Sequence, residues 1–444
     1  MTEALRNAVD EHLPRVRADL ERLIRIPSVS FEGFDPAEVR RSAEATAEVL
    51  SSSGLQGVRL LEVDGAHPAV FAEAPAADGG PTVLLYAHHD VQPPGNEEDW
   101  DSPPFEPTER DGRLFGRGSC DDKAGIALHQ AAMLAHEGRP PVNVKVFIEG
   151  EEEQGSPNLE SFLKRYGDDL RADVIVLADA TNWRAGVPGL TTRLRGLVDC
   201  VVEVRTLDHA VHSGMYGGPF PDALTALSRI LATLHDDDGN VAIEGLMSSS
   251  TDPLDLTEEE LRDQAGAVQG VRTIGRGALT ERLWTRPAVA VLGIDAPSVQ
   301  EAANILVPVA RAKVSLRLPP GQDPEPAMDA LVRHLESHAP WGVKVSVERG
   351  ASAWPYQVRA DGPVFEAARR AFRDGWGTDP VDIGAGGTIP FVKAFADAFP
   401  GASILLTGVE DPDGRAHGAN ESLLLEDFRK ICLAEALLLR NLAG

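Results

Sequence analysis

At 444 residues the chain is too long for one ordinary hydrophobic core, so two domains, or one large domain carrying an insertion, are expected. Its 69 acidic side chains outnumber the 42 basic ones and leave a net charge of -27, which repels nucleic acid and anionic membrane surfaces and argues against either as a partner. The 3 cysteines, Cys120, Cys200 and Cys432, have no regular spacing; they exclude a disulfide framework or thiolate metal site and read as reduced thiols of a cytoplasmic protein.

Near the N-terminus Leu5, Val9, Leu13, Val16, Leu20 and Leu23 recur at spacings of three and four, the pattern of an amphipathic helix rather than a signal peptide. No stretch approaches the apolar length of a membrane span, so a soluble, retained protein is expected. TVLLYA (82–87), VNVKVFI (142–148) and DVIVLA (173–178) are short β-rich runs, with the helical pattern KAGIALHQAAMLAHEG (123–138) among them. Such alternation predicts a mostly parallel, buried sheet with helices on its faces.

After about residue 195 the texture changes. LVDCVVEVRT (197–206), ARAKVSLRLPP (310–320) and GVKVSVERG (342–350) read as strands, while PFPDALTALSRILATLHDDDG (219–239) reads as one helix and PEPAMDALVRHLESHA (324–339) as another. Strands with two helices on one side suggest a small α+β module. Within it DPLDLTEEELRDQAG (252–266) carries a capping box, Thr257 with Glu260, and reads as an acidic surface helix or an insertion. From about residue 360 the α/β texture returns, with a helix in GPVFEAARRAFRDGWG and a strand in ASILLTGV (402–409). The expected fold is an α/β catalytic domain built from residues 1–194 and 353–444, interrupted by a smaller α+β domain over 195–352.

Each apolar run ends in side chains able to hold a metal. TVLLYA leads into His88, His89 and Asp90, VNVKVFI into four glutamates between Glu149 and Glu153, DVIVLA into Asp179, and ASILLTGV through a loop into His417. GRGSCDDK adds Asp121 and Asp122 just before a helix. In open parallel sheets, sites lie beyond the carboxyl ends of the strands, so these ends are expected to converge. Singly, a strand-end aspartate is usually a cap and a charge run a solvated face; the joint pattern carries the weight. Imidazoles with several carboxylates and almost no thiolate suit zinc or manganese, and so many gathered acids need a dication among them. There is no P-loop, HExxH or GxSxG motif, and GAGG (384–387) is a weak glycine cluster.

AHHDVQP, GRGSCDDK, EGEEEQGS, LAD and AHGANE, in this order, resemble the dinuclear metallopeptidase family of carnosine dipeptidase, carboxypeptidase G, the aminoacylases, acetylornithine deacetylase and succinyl-diaminopimelate desuccinylase. The resemblance covers nearly the whole chain and is strongest to the dipeptidase branch. It implies that His88 and Asp179 ligate one metal, Glu153 and His417 the other, and that Asp121 bridges them. It makes Glu152 the general base and Asp90 the carboxylate that orients His88, with two divalent ions per subunit, zinc or alternatively manganese or cobalt.

The resemblance further implies that the module is a lid and dimerisation domain. His212, in DHAVHSGMYGG, is implied as an oxyanion donor to the neighbouring subunit of a homodimer, and Asn304, Arg317, Gly387 and Thr388 as substrate contacts. Gly384 and Ala385 stand where an Arg-Glu pair is common in dipeptidases, which weakens a carnosine-like specificity. The function expected is metal-dependent hydrolysis of dipeptides. An N-acyl amino acid amidohydrolase and, from another class, a non-catalytic small-molecule binder on the same scaffold are the alternatives.

Overall fold

The apolar runs form the centre of one sheet in the computed structural model, which describes residues 2–77, 79–251, 253–387 and 390–444. Thr82–His88 pairs in parallel with Asn143–Glu149 on one side and Val174–Leu177 on the other, and Ser403–Leu406 continues in parallel beyond Val174–Leu177. Ala69–Ala74 and then Gln56–Leu61 extend one flank antiparallel, and Gly189–Leu194 joins the other through Leu406 and Thr191. Every residue from Val83 to His88 is buried, as expected for a strand covered on both faces.

Side chains alternate between those faces. Val83, Leu85 and Ala87 pack into a core shared with the helices Thr2–Ile24, Pro36–Ser52, Lys123–Ala135, Pro363–Trp376 and Leu425–Leu442. Tyr86 points the opposite way, onto Phe391 at 4.6 Å and Phe395 at 5.6 Å between ring centroids, beneath Pro390–Ala398. The helix Lys123–Ala135 is buried along its whole length, and His129 at its middle ties three elements together. Its Nδ1 lies 2.8 Å from Glu435 Oε1 in Leu425–Leu442, and its Nε2 lies 3.1 Å from the carbonyl oxygen of Tyr86.

The chain separates into two compact units, one of Met1–Thr192, Val358–Ile383 and Ile389–Gly444, the other of Arg193–Gln357 and Gly384–Thr388. The second unit holds a four-stranded antiparallel sheet in the order Ala288–Asp295, Val309–Leu318, Gly196–Arg205, Lys344–Ala353. Val198, Cys200, Val202 and Val204 face the helices Ala223–Ala232 and Pro324–Ser337 across its core. The helix read from 219–239 is shorter than its pattern. Asp222 caps Thr225 N at 2.8 Å and so begins the helix at Ala223, and the helical backbone ends at Ala232 although Leu234 still packs inside. Glu258–Gln264 has the expected capping box and buries none of its residues, which makes it a surface helix.

All three cysteines are free and buried. Among the described residues no helix is long and apolar enough to cross a membrane.

Candidate metal centre

The carboxyl ends of four parallel strands supply the site. Thr82–His88 ends on His88, with Asp90 two residues on; a single 3₁₀ turn, Glu152–Gln154, follows Asn143–Glu149; Asp179 lies two residues past Val174–Leu177; and the loop after Ser403–Leu406 leads to His417. Asp121 comes from the glycine-punctuated loop before Lys123–Ala135. Asp122 caps that helix, its side chain accepting from Gly125 N at 3.1 Å. The first unit therefore brings together His88, Asp90, Asp121, Glu152, Glu153, Asp179 and His417, drawn from both ends of the sequence.

Asp121 is the hub. Its Oδ1 lies 3.0 Å from His88 Nε2 and its Oδ2 lies 2.9 Å from His417 Nε2, so each oxygen faces a different imidazole. His417 Nε2 is also 3.2 Å from Glu153 Oε2, and His88 Nε2 is 3.9 Å from Glu152 Oε2. Ligand atoms of His88, Glu152 and Asp179 lie within 4.8 Å of one another, as do those of His88, Asp121 and Glu153 and those of Asp121, Asp179 and Glu410. This donor set, imidazole nitrogens and carboxylate oxygens with one carboxylate able to span two positions, fits a pair of divalent ions of the zinc or manganese kind.

Asp90 organises the centre from beneath. The backbone carbonyl of Asp90 lies 3.1 Å from His88 Nδ1 and its Oδ1 lies 3.4 Å away, which leaves Nε2 to face Asp121. The same carboxylate accepts from the backbone amides of Glu152 and Glu153, both at 3.2 Å, and from Ser30 Oγ at 2.8 Å. Gln92 holds Glu153 further, donating from its backbone amide at 3.0 Å and its side chain at 2.7 Å.

The other acids of the run have structural partners. Tyr86 donates to Glu149 at 2.8 Å, while Glu151 accepts from His67 N at 2.7 Å and Asn158 at 2.9 Å. Gly150 between them is required by close packing, since a Cβ there would lie 2.7 Å from Pro68 O and 2.8 Å from His89 Nε2. His89 itself is buried with Nε2 2.8 Å from Pro68 O, pointing away from the centre.

Charge at the site is strongly coupled to burial. Burial, reinforced by Asp179, pushes Glu152 well above the usual carboxylate range; burial and Asp121 push Glu153 up to about 7. Asp179 rises to about 6 through burial, opposed by His88 and helped by Asp121. The imidazoles answer in the other sense: Asp121 and Glu153 raise His417 to about 11, and His88, which burial alone would lower, is held well up by Asp121 and Asp90. Acids crowded this closely repel one another unless positive charge lies among them.

One residue among these groups, Glu410, and one in the second unit, Arg195, escaped sequence reasoning. Glu410 faces Asp121 and Asp179, but TGVEDPDG reads as an ordinary turn; the one available signal was its position just past an apolar strand, like that of Asp179. Arg195, in the second unit, donates from Nε to Gly386 O at 3.3 Å, and burial followed by the charge of Arg317 lowers it to about 10. The sheet register explains the proximity. Arg317 pairs with Leu197, and Arg195, two residues before Leu197, shares that face.

The remaining predicted residues also belong to the second unit. His212 is exposed in the short strand Val211–His212, paired with Ile305–Leu306, and its Nδ1 accepts from Gly214 N at 3.1 Å. Asn304 lies alongside, its carbonyl accepting from Ser213 N at 3.0 Å. Arg317 is half-buried, Gly387 is exposed at the end of the glycine stretch, and Thr388 lies outside the described residues.

Residues 84–441 match the model of peptidase family M20/M25/M40. The chain is 33% identical over 432 residues to a cysteinylglycine-S-conjugate dipeptidase of Corynebacterium striatum, covering 94% of each chain. It is 30% identical over 430 residues to a beta-Ala-His dipeptidase of Rattus norvegicus, covering 93% of this chain and 85% of the other. The crystal structure of human carnosine dipeptidase 1 superposes with a TM-score of 0.83 at 26% identity, over 100% of this chain and 98% of that one. With its family match, its dipeptidase relatives and its shared fold, the chain belongs to peptidase family M20/M25/M40.

Proposed function

We propose that the chain hydrolyses the amide bond of dipeptides at a centre holding two divalent cations, zinc first, with manganese or cobalt able to replace it. The observation that carries this reading is Asp121, with one oxygen toward His88 and the other toward His417. His88 and Asp179 would hold one cation, Glu153 and His417 the other, and Asp121 both. Bound there, the ions supply Lewis acidity toward water and toward the scissile carbonyl. Glu152 takes up the proton that water releases as its oxygen attacks the carbonyl carbon, then delivers it to the amine nitrogen as the C–N bond breaks. The products are a carboxylic acid and an amine. Asp90 keeps the reacting groups in register by bonding the backbone of Glu152 and Glu153 and orienting His88.

Relatives named as dipeptidases support a dipeptide substrate. A panel of dipeptides set against N-acetyl and N-succinyl amino acids tests it. Turnover of dipeptides with little of the acylated compounds is expected; the reverse preference assigns the chain to N-acyl amino acid hydrolysis, and no turnover of either with metals bound assigns it to binding alone.

We also infer a homodimer that forms through the second unit, with residues 195–352 as the dimerisation module. Ala288–Asp295 is the edge strand of its sheet and exposes Val291, Leu292 (62% exposed) and Ile294, an open row of peptide groups flanked by apolar side chains that a second copy can cover. His212 then serves the partner's site as an oxyanion donor. Light scattering is expected to give a dimer for the native chain and a monomer for Leu292→Glu combined with Ile294→Glu. The monomer should lose about 10²–10³-fold in kcat, the worth of one oxyanion donor, yet still bind two metals. A fully active monomer contradicts this assembly. The three buried thiols support a reducing compartment, and we assign the protein to the cytoplasm.

A further inference from the structure

One buried ion pair ties together the two loops that carry Asp121 and His417. Arg117 and Glu421, 1% and 0% exposed, meet with Nη1 donating to Oε2 at 2.6 Å. Glu421 also gathers the backbone of the Asp121 loop: Oε2 accepts from Gly118 N at 3.1 Å, and Oε1 accepts from Cys120 N at 3.0 Å and Asp121 N at 3.2 Å. Arg117 reaches the other loop, its Nη2 donating to His417 O at 3.1 Å and to Pro93 O at 3.3 Å.

That second loop needs outside support. Arg415, His417 and Asn420 all have positive φ, at 57°, 65° and 61°, in the left-handed region that side chains other than glycine occupy at a cost. Further bonds hold its ends, with Arg113 donating to Asp411 at 2.6 Å and Asn420 accepting from Asp101 N at 2.9 Å. The bond that bears directly on His417 is the one from Arg117. None of these contacts is a candidate metal ligand, yet each fixes the backbone from which a ligand projects.

We propose that Arg117 and Glu421 are positioning residues for the metal pair, the carboxylate setting Asp121 and the guanidinium setting His417 so that both meet the same two cations. The proposal rests on the dinuclear reading above. A carboxylate that accepts three amides and one guanidinium nitrogen fixes a loop far more tightly than the same loop could fix itself. Lysine cannot copy arginine here, because a single ammonium cannot span the two carbonyls and the carboxylate in the fork geometry of a guanidinium.

Zinc titrations of chelator-stripped protein against a chromophoric competitor test the idea without reference to activity. The native chain is expected to take up two zinc ions tightly. Glu421→Gln should weaken zinc binding by roughly 10–100-fold, the usual cost of losing a group that orients a ligand. Arg117→Lys keeps a charge beside Glu421 but releases His417, so it should retain one tight ion and weaken the other by a similar factor. Glu435→Gln, which breaks the His129–Glu435 pair in the interior, is the control for general loosening and should retain both. Should Glu421→Gln fail to fold, Arg117→Lys decides alone. Two tight ions in Arg117→Lys, or equal loss in Glu435→Gln, overturns the positioning role. Fewer than two ions in the native chain overturns the dinuclear reading itself.

Discussion

Glu152→Gln is expected to lower kcat on a dipeptide by about 10²–10⁴-fold, the range that one positioned acid–base group supplies. The metal content of the variant should stay at that of the native chain. The amide has nearly the shape of the carboxylate and leaves the backbone bond from Glu152 N to Asp90 intact, but it cannot take a proton from water and return it to the leaving amine. Burial and Asp179 already keep this carboxylate under strong electrostatic pressure, so replacing it with a neutral group removes repulsion and should not unfold the site. Steady-state kinetics paired with elemental analysis reads both quantities. Unchanged turnover removes Glu152 from the reaction, and a loss of metal makes it a ligand.

Asp121→Asn should show the opposite signature. Its two oxygens face two imidazoles at 3.0 and 2.9 Å, and an amide offers one oxygen and one NH₂ where the centre requires two acceptors. One imidazole then meets a donor, and, on the proposed dinuclear reading, the shared anion that would let two cations lie close together is gone. Metal binding should weaken by more than the roughly 10–100-fold typical of an outlying partner, with activity falling alongside it. Activity lost with metals retained would show that Asp121 acts on the substrate, and full activity would remove it from the centre.

The parts of the fold legible in the sequence are those whose residues state their environment. Val83 to Ala87 is apolar without interruption because both faces of the strand are covered, and the imidazoles and acids that follow it and its parallel neighbours mark where the sheet opens. Gln56–Leu61 and Gly189–Leu194 carry no such mark. The first is a partly exposed flank, and the second, GLTTRL, is buried through threonines as much as through leucines. Pro36–Ser52 is hidden by its small residues, since Ser42, Ala43, Ala45 and Thr46 make much of its buried face and give little apolar contrast.

The same limit applies at the centre. Motifs expose side chains that project into the site, but the work of Asp90 on the amides of Glu152 and Glu153, and of Glu421 on the amides of Gly118, Cys120 and Asp121, is done on backbone. Backbone partners have no letter in a sequence. Only the folded chain, which joins segments some three hundred residues apart, identifies them.

Anomalous diffraction from crystals grown with zinc, measured on both sides of the zinc absorption edge, tests the dinuclear centre most directly. Two peaks roughly 3.5–4 Å apart are predicted, both bonded by Asp121, with His88 and Asp179 at one and Glu153 and His417 at the other. An empty site, or a lone ion that His417 does not reach, would contradict the account.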